Sequence, residues 1–222
     1  MTSKTGAEET KTRIQAALDR AVHEGLPGFS VAARLPGGEV VAATAGVRGL
    51  DNPTPMTPDT VFWIASFTKA VTTAAALQLV EAGRVGLDED VGRWLPKLAK
   101  PKVLAGFDEE GEPILTDARE PVTLRRLLTH QSGFAYPFCH ADLSRYVAKR
   151  PQPESPVEEP DYPLMFEPGS DWTYGVGIDW AAKLIEKVSG ETLADYLCGR
   201  VFQPLGMAET GFATTDAQRD RR

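Results

Sequence analysis

The chain has 222 residues, enough for one substantial core or two small domains. It is 42% hydrophobic and 25% charged, the make-up of an ordinary soluble globular protein. A formal charge of -7 excludes a nucleic-acid or anionic-membrane surface built on clustered Lys and Arg.

Residues 1–8 are polar and read as a disordered N-terminus. From Glu9 to Glu24, Ile14, Ala17, Leu18, Ala21 and Val22 share one helical face, and Gly25 stops the run. The segment PGFSVAARLPGGEVVAATAGVRG predicts two strands joined at Pro36-Gly37-Gly38. Asp51 to Thr60, with three prolines, reads as a loop. In FWIASFTKAVTTAAALQLVEAG, residues Phe67 to Val80 are apolar or small on nearly all sides, which predicts a buried central helix.

Residues 97–120 are turn-rich, with a hairpin expected around Glu109-Glu110-Gly111. VTLRRLLTHQSG predicts a helix capped by Thr123 and closed by Gly133, followed by a short amphipathic helix over Asp142 to Lys149. The proline-rich acidic stretch Pro151 to Pro163 reads as an exposed loop, a candidate lid or a plain solvated connection. Two further helices are expected near Ile178–Ser189 and Thr192–Gln203. The chain then ends in the charged run AQRDRR with no closing element. Many helices but only two firm strands leave the hairpin short of a covering layer, since a lone hairpin is marginal in water.

Cys139 and Cys198 lack Cys-x-x-Cys spacing and read as free thiols of a reducing compartment. The first residues lack a signal-peptide core, and no apolar stretch reaches about 20 residues. The expectation is a cytoplasmic protein with no membrane partner. His23 and His140 have no metal-ligand spacing, and no glycine-rich phosphate loop follows a strand, so no metal or cofactor is expected.

A serine hydroxyl needs a neighbouring base to act as a nucleophile. Ser66 and Lys69 are three apart on a helix and share a face. Ser66 falls near the first turn, where unpaired N–H groups and the helix dipole favour negative charge. Lys69 lies deeper in an apolar helix, where desolvation lowers an amine's pKa and makes it a proton acceptor. A Ser-x-x-Lys arises by chance about once in such a chain, so the apolar setting of Lys69 carries the signal. Tyr174, on a turn between Gly169 and Gly177, can present its hydroxyl to a cleft as a proton relay, or can pack in the core under the next helix. His130 with Ser132 forms a second, poorer serine–histidine candidate, and capping of the helix end is the expected role of His130. Trp63, Trp94, Trp172 and Trp180 read mainly as core residues, with Trp172 a candidate wall of an acyl pocket.

Three segments together resemble the serine beta-lactamase-like superfamily of class C beta-lactamases and penicillin-binding proteins. They are ASFTKAVTTAAALQLVEAGRVGLDEDVGRWLP, VTLRRLLTHQSGF and FEPGSDWTYGVGIDWAAKLIEKVSGETLADYLCGRVFQPLGM. The likeness runs from about residue 10 onward and is nearest the family VIII carboxylesterase and transesterase branch. It implies an α+β fold, a helical region beside an antiparallel sheet, with Ser66 as nucleophile, Lys69 as base partner and Tyr174 as the motif tyrosine. Val176 stands where the family's Tyr-x-Asn motif has Asn, which favours ester over lactam substrates and makes Trp172 and Val176 candidate substrate contacts.

The family's third motif follows the tyrosine, whereas the only Lys-Thr-Gly here is Lys4-Thr5-Gly6, a coincidence on the wrong side of Ser66. By this resemblance residues 9–222 are the N-terminal portion of a beta-lactamase-related domain, and its later part is expected to be missing, with one oxyanion-hole N–H, whose loss costs about 10²–10³ in rate. The chain alone is expected to be poorly stable and nearly inactive. The implied activity is cleavage of a small-molecule ester through an acyl-enzyme on Ser66. Beta-lactamase or penicillin-binding activity, and a non-catalytic binding module, are the alternatives.

Overall fold

The structure is a computed structural model that describes residues 3–51, 53–149 and 162–222. It is α+β with two separate two-stranded antiparallel sheets, and the chain divides into two compact units, Met1–Trp63 with Ala213–Arg222, and Ile64–Phe212.

In the first unit, helix α1 (Ser3–His23) packs on a hairpin of β1 (Gly28–Arg34) and β2 (Val40–Gly46). Leu18 of the expected apolar face is buried, and Ile14, Ala21 and Val22 are half-buried, whereas Ala17 is exposed. The Gln15 amide donates to the Thr44 carbonyl at 3.0 Å, tying helix to strand. The pairing runs from Gly28↔Gly46 to Arg34↔Val40, and the turn closes through Gly38 N–H to the Leu35 carbonyl at 2.8 Å.

Two expectations are corrected here. The helix begins at Ser3 rather than Glu9, so Lys4-Thr5-Gly6 is helical and not a disordered tail; Ala7 is already buried, giving this first stretch packing to hold it. The charged C-terminal run also has structure. Helix α7 (Asp216–Arg219) starts with a reciprocal capping box between Thr215 and Gln218. Beyond it the Arg221 carbonyl accepts from Val61 N–H at 2.9 Å, and the Arg221 guanidinium donates to the Asp59 carbonyl at 2.9 Å. Capping and backbone pairing order a segment that composition alone makes look loose.

In the second unit, the 3-10 turn Ala65–Phe67 leads directly into α2 (Thr68–Glu81), which packs on α5 (Gly177–Ser189). Helix α5 has a clear apolar stripe of Ile178, Trp180, Ala181, Leu184, Ile185 and Val188, all of which but Ile178 join the main core. Strands β3 (Lys102–Phe107) and β4 (Pro113–Asp117) form the hairpin expected around Glu109-Glu110-Gly111. Helix α4 (Ala141–Ala148) buries Leu143 and Tyr146 in a smaller cluster with Leu104 and Ala135. Helix α6 (Leu193–Leu197), capped by Thr192, continues into a π-helical turn over Cys198–Phe202. The acidic loop lies outside the described residues except for Tyr162 and Pro163.

Two details differ from the pattern. Helix α3 (Leu124–Leu128) starts at the Thr123 cap, but it is His130, with φ 59°, and not Gly133, that closes it. Gln131 N–H reaches the Arg126 carbonyl and His130 N–H the Leu127 carbonyl, the paired bonds of a Schellman close. Helix α2 buries only Thr72, Ala75, Ala76 and Leu79, while Ala70, Ala74 and Leu77, with Phe67 at its N-cap, are exposed on the opposite face. The all-apolar pattern therefore marks a helix with one packed and one open apolar face. Cys139 and Cys198 are free thiols, as expected. Among the described residues no helix is long and apolar enough to cross a membrane.

Candidate active site

Ser66 lies in the 3-10 turn and Lys69 in the first turn of α2, so one short continuous segment sets both side chains. Ala65 takes φ 43°, a left-handed conformation that costs a non-glycine residue on the order of 1 kcal/mol. Such strain directly before the serine bends the chain so that the hydroxyl is exposed. Lys69 Nζ lies 3.3 Å from Ser66 Oγ, as the three-residue spacing requires.

Tyr174 reaches the same oxygen from a segment 108 residues away, with its hydroxyl 2.7 Å from Ser66 Oγ. Its turn is clamped from behind. The Gly175 N–H donates to His130 Nδ1 at 3.4 Å, and the His130 ring packs on the Tyr174 ring with centroids 4.8 Å apart. A Cβ on Gly175 would collide with the Phe134 carbonyl and the Ala135 backbone, so glycine here answers a need for space. Gly175→Ala is expected to cost about 1–3 kcal/mol of stability and to draw Tyr174 away from Ser66. Thermal unfolding, read beside the rate of covalent labelling of Ser66, measures both effects.

Sequence reasoning missed two members of the site. Tyr136, from the segment after α3, accepts from Lys69 Nζ at 3.2 Å and donates to Asp179 Oδ2 at 3.2 Å. Asp179 sits in the first turn of α5, five residues after Tyr174. The signal for Tyr136 was a tyrosine before Pro137 in a non-periodic stretch, and for Asp179 an acidic residue at a helix start; neither discriminates on its own. A groove of about 310 Å³ opens at Ser66, Lys69 and Asp179 and runs along Ile178, Leu193 and Phe212.

The electrostatics correct the expected charge state of Lys69. Burial pulls its pKa down, but the phenolic oxygens of Tyr136 and Tyr174 and the charge of Asp179 outweigh it, leaving the amine above its ordinary value. Tyr174 moves the other way: its hydrogen bond to Ser66, then the bond to and charge of Lys69, hold its pKa below that of a free tyrosine. Burial and the Asp179 charge raise Tyr136, which stays a protonated phenol. Burial and Lys69 lower His130, so its ring is a neutral acceptor for Gly175.

The remaining candidates fall outside this cluster. Trp172 is exposed and sits edge-on to His130 at 6.1 Å, beside the site rather than in it. Val176 is 4% exposed within the main core, so burial leaves it no surface for a substrate. Ser132 is fully buried, and its Oγ has no hydrogen-bond partner among the described residues, so it forms no pair with His130. Trp180 is core as expected, but Trp63 is almost fully exposed. No cluster of His, Cys, Asp and Glu suited to a metal occurs among the described residues.

Comparison with known proteins agrees with the architecture. The beta-lactamase family profile matches residues 13–222. A lovastatin esterase of Penicillium rubens is 42% identical over 163 residues, covering 71% of this chain and 41% of the esterase. The ML-236A carboxylate methylbutanoyltransferase of Penicillium citrinum is 37% identical over 210 residues, 90% of this chain and 50% of the transferase. The unliganded simvastatin synthase (LovD) of Aspergillus terreus superposes with a TM-score of 0.84 at 34% identity, over 95% of this chain and 57% of that structure. The chain thus spans about half the length of the curated relatives it matches.

Proposed function

The chain belongs to the beta-lactamase family, and from that premise we propose that the whole protein is a serine esterase and acyltransferase that carries its acyl group on Ser66. The observation that carries the reading is the convergence of two proton-handling groups on one oxygen: Tyr174 at 2.7 Å and Lys69 at 3.3 Å from Ser66 Oγ.

The opposed directions of the two pKa shifts support a division of roles. Tyr174, in its phenolate form, takes the proton of Ser66 while Lys69 stays an ammonium and stabilises that phenolate. Ser66 Oγ attacks the ester carbonyl, and the start of α2 offers a favourable field to the developing oxyanion. Tyr174 then returns the proton to the departing alkoxide, leaving an acyl-serine. Water or a second alcohol, deprotonated in turn by Tyr174, attacks that acyl group, and Tyr174 passes the proton it gained to the departing Ser66 Oγ, restoring both the serine and the phenolate. The substrate class is a small ester whose apolar part lies along Ile178, Leu193 and Phe212.

The relatives' names, an esterase and an acyltransferase, support ester over lactam substrates. A fluorophosphonate probe followed by mass spectrometry tests the reading in the protein at its natural length. An adduct on Ser66, formed at least about tenfold more slowly in Lys69→Ala, is expected. A binding module gives no adduct, or one indifferent to Lys69. Faster turnover of nitrocefin than of p-nitrophenyl butyrate would instead mark a beta-lactamase.

A further inference from the structure

We infer that Asp179 is a positioning residue which, through the Tyr136 hydroxyl, keeps Lys69 a hydrogen-bond donor to Ser66; the inference rests on the acyl-enzyme reading above.

A phenol has one proton. The Tyr136 hydroxyl lies 3.2 Å from Asp179 Oδ2 and 3.2 Å from Lys69 Nζ. A carboxylate only accepts, so the proton points to Asp179 and the phenolic lone pairs face Lys69. Lys69 can then do nothing toward Tyr136 but donate, which suits an ammonium and leaves a neutral amine's lone pair without a donor on that side. The carboxylate thereby favours the ammonium, which has more protons to donate, in an amine with which it shares no hydrogen bond. Replace it with an amide and the side-chain NH₂ can donate to Tyr136. The phenolic proton is then released to turn onto Lys69, which becomes a neutral acceptor.

The groups around Asp179 leave this path unobstructed. Lys69 faces it from α2, Tyr136 and His130 from the segment after α3, and Tyr174 from the turn ahead of α5. On α5 itself Lys183 is paired with Glu186 at 3.1 Å. Arg125 and Arg126 of α3 are held by Asp88 and Glu120, and Asp195 of α6 accepts from its Thr192 cap.

The test is the pH dependence of p-nitrophenyl butyrate turnover by the natural-length protein carrying Asp179→Asn. Losing a negative charge beside Lys69⁺ and the Tyr174 phenolate lowers both pKa values. Both limbs of the profile should therefore move toward acid, by about 0.5–1 unit for so exposed a charge. The kcat should fall about tenfold or more with KM little changed. Tyr136→Phe severs the same contact and should shift the alkaline limb in the same sense. The double variant should be no worse than the poorer single one.

Unmoved limbs in Asp179→Asn, or fully additive losses in the double variant, overturn the inference. If Asp179→Asn does not fold, an unshifted alkaline limb in Tyr136→Phe overturns it equally. Failure of the underlying reading is seen separately, as an unmodified Ser66 in the unsubstituted protein treated with fluorophosphonate.

Discussion

Ser66→Ala in the natural-length protein is expected to reduce ester turnover by about 10⁴–10⁶-fold, the range seen when a catalytic serine is removed from an acyl-transfer site. The argument turns on what the substitution leaves intact. Ser66 is exposed, in a short turn whose backbone geometry belongs to Ala65 and the start of α2, and its side chain fills no core. Stability should therefore change by no more than about 0.5 kcal/mol. Tyr174 and Lys69 remain in place and can still polarise a water, so a small residual hydrolysis is compatible with the mechanism. Transfer to a second alcohol is not, because no acyl group is held between the two half-reactions. Equal losses of hydrolysis and transfer, with retained transfer selectivity, would mean that the acyl group never rests on this serine. The measurement is a comparison of initial rates with and without an alcohol acceptor, beside a thermal unfolding curve.

The parts legible in the sequence are those encoded by short-range spacing. Ser66 and Lys69 are one helical turn apart, so the 3.6-residue period alone brings them together at 3.3 Å. The turn around Tyr174 was marked by glycines, and the steric demand at Gly175 gives the reason. The partners of Lys69 were not legible: Tyr136 comes from 67 residues away, and Asp179 is joined to Tyr136 across 43. The same gap explains the inverted expectation for the amine. Its own helix supplies methyl groups, which lower a lysine pKa. Oxygens from the segment after α3 and from α5 supply the opposing, larger effect, and helical periodicity carries no information about them.

The fold follows the same division. Hairpins and caps were read from Pro36-Gly37-Gly38, Glu109-Glu110-Gly111 and Thr123, all local devices. The ordering of the C-terminal run depends on Val61, more than 150 residues earlier, and its charged composition points the opposite way. The open face of α2 is a third case. A helix apolar all round announces that both faces suit burial, and which face finds a partner is decided by tertiary contacts.

Tyr174→Phe is expected to lower kcat/KM by about 10²–10⁴-fold, the usual contribution of a positioned general base. The ring remains, so packing on His130 at 4.8 Å and the clamp at Gly175 persist, and only the hydroxyl 2.7 Å from Ser66 is lost. The diagnostic is the shape of the profile. With Tyr174 as base, the unsubstituted enzyme gains activity as pH rises through its lowered pKa. It loses activity when Lys69, whose pKa is raised, gives up its proton. In the phenylalanine variant Lys69 takes over as base, and only its neutral form can act. Residual activity should therefore climb through the alkaline region in which the unsubstituted enzyme declines. Were Lys69 the base throughout, the two profiles would share the same alkaline limb and the variant would lose only the relay to the leaving alkoxide. An inverted limb assigns proton abstraction to Tyr174; a shared one returns it to Lys69.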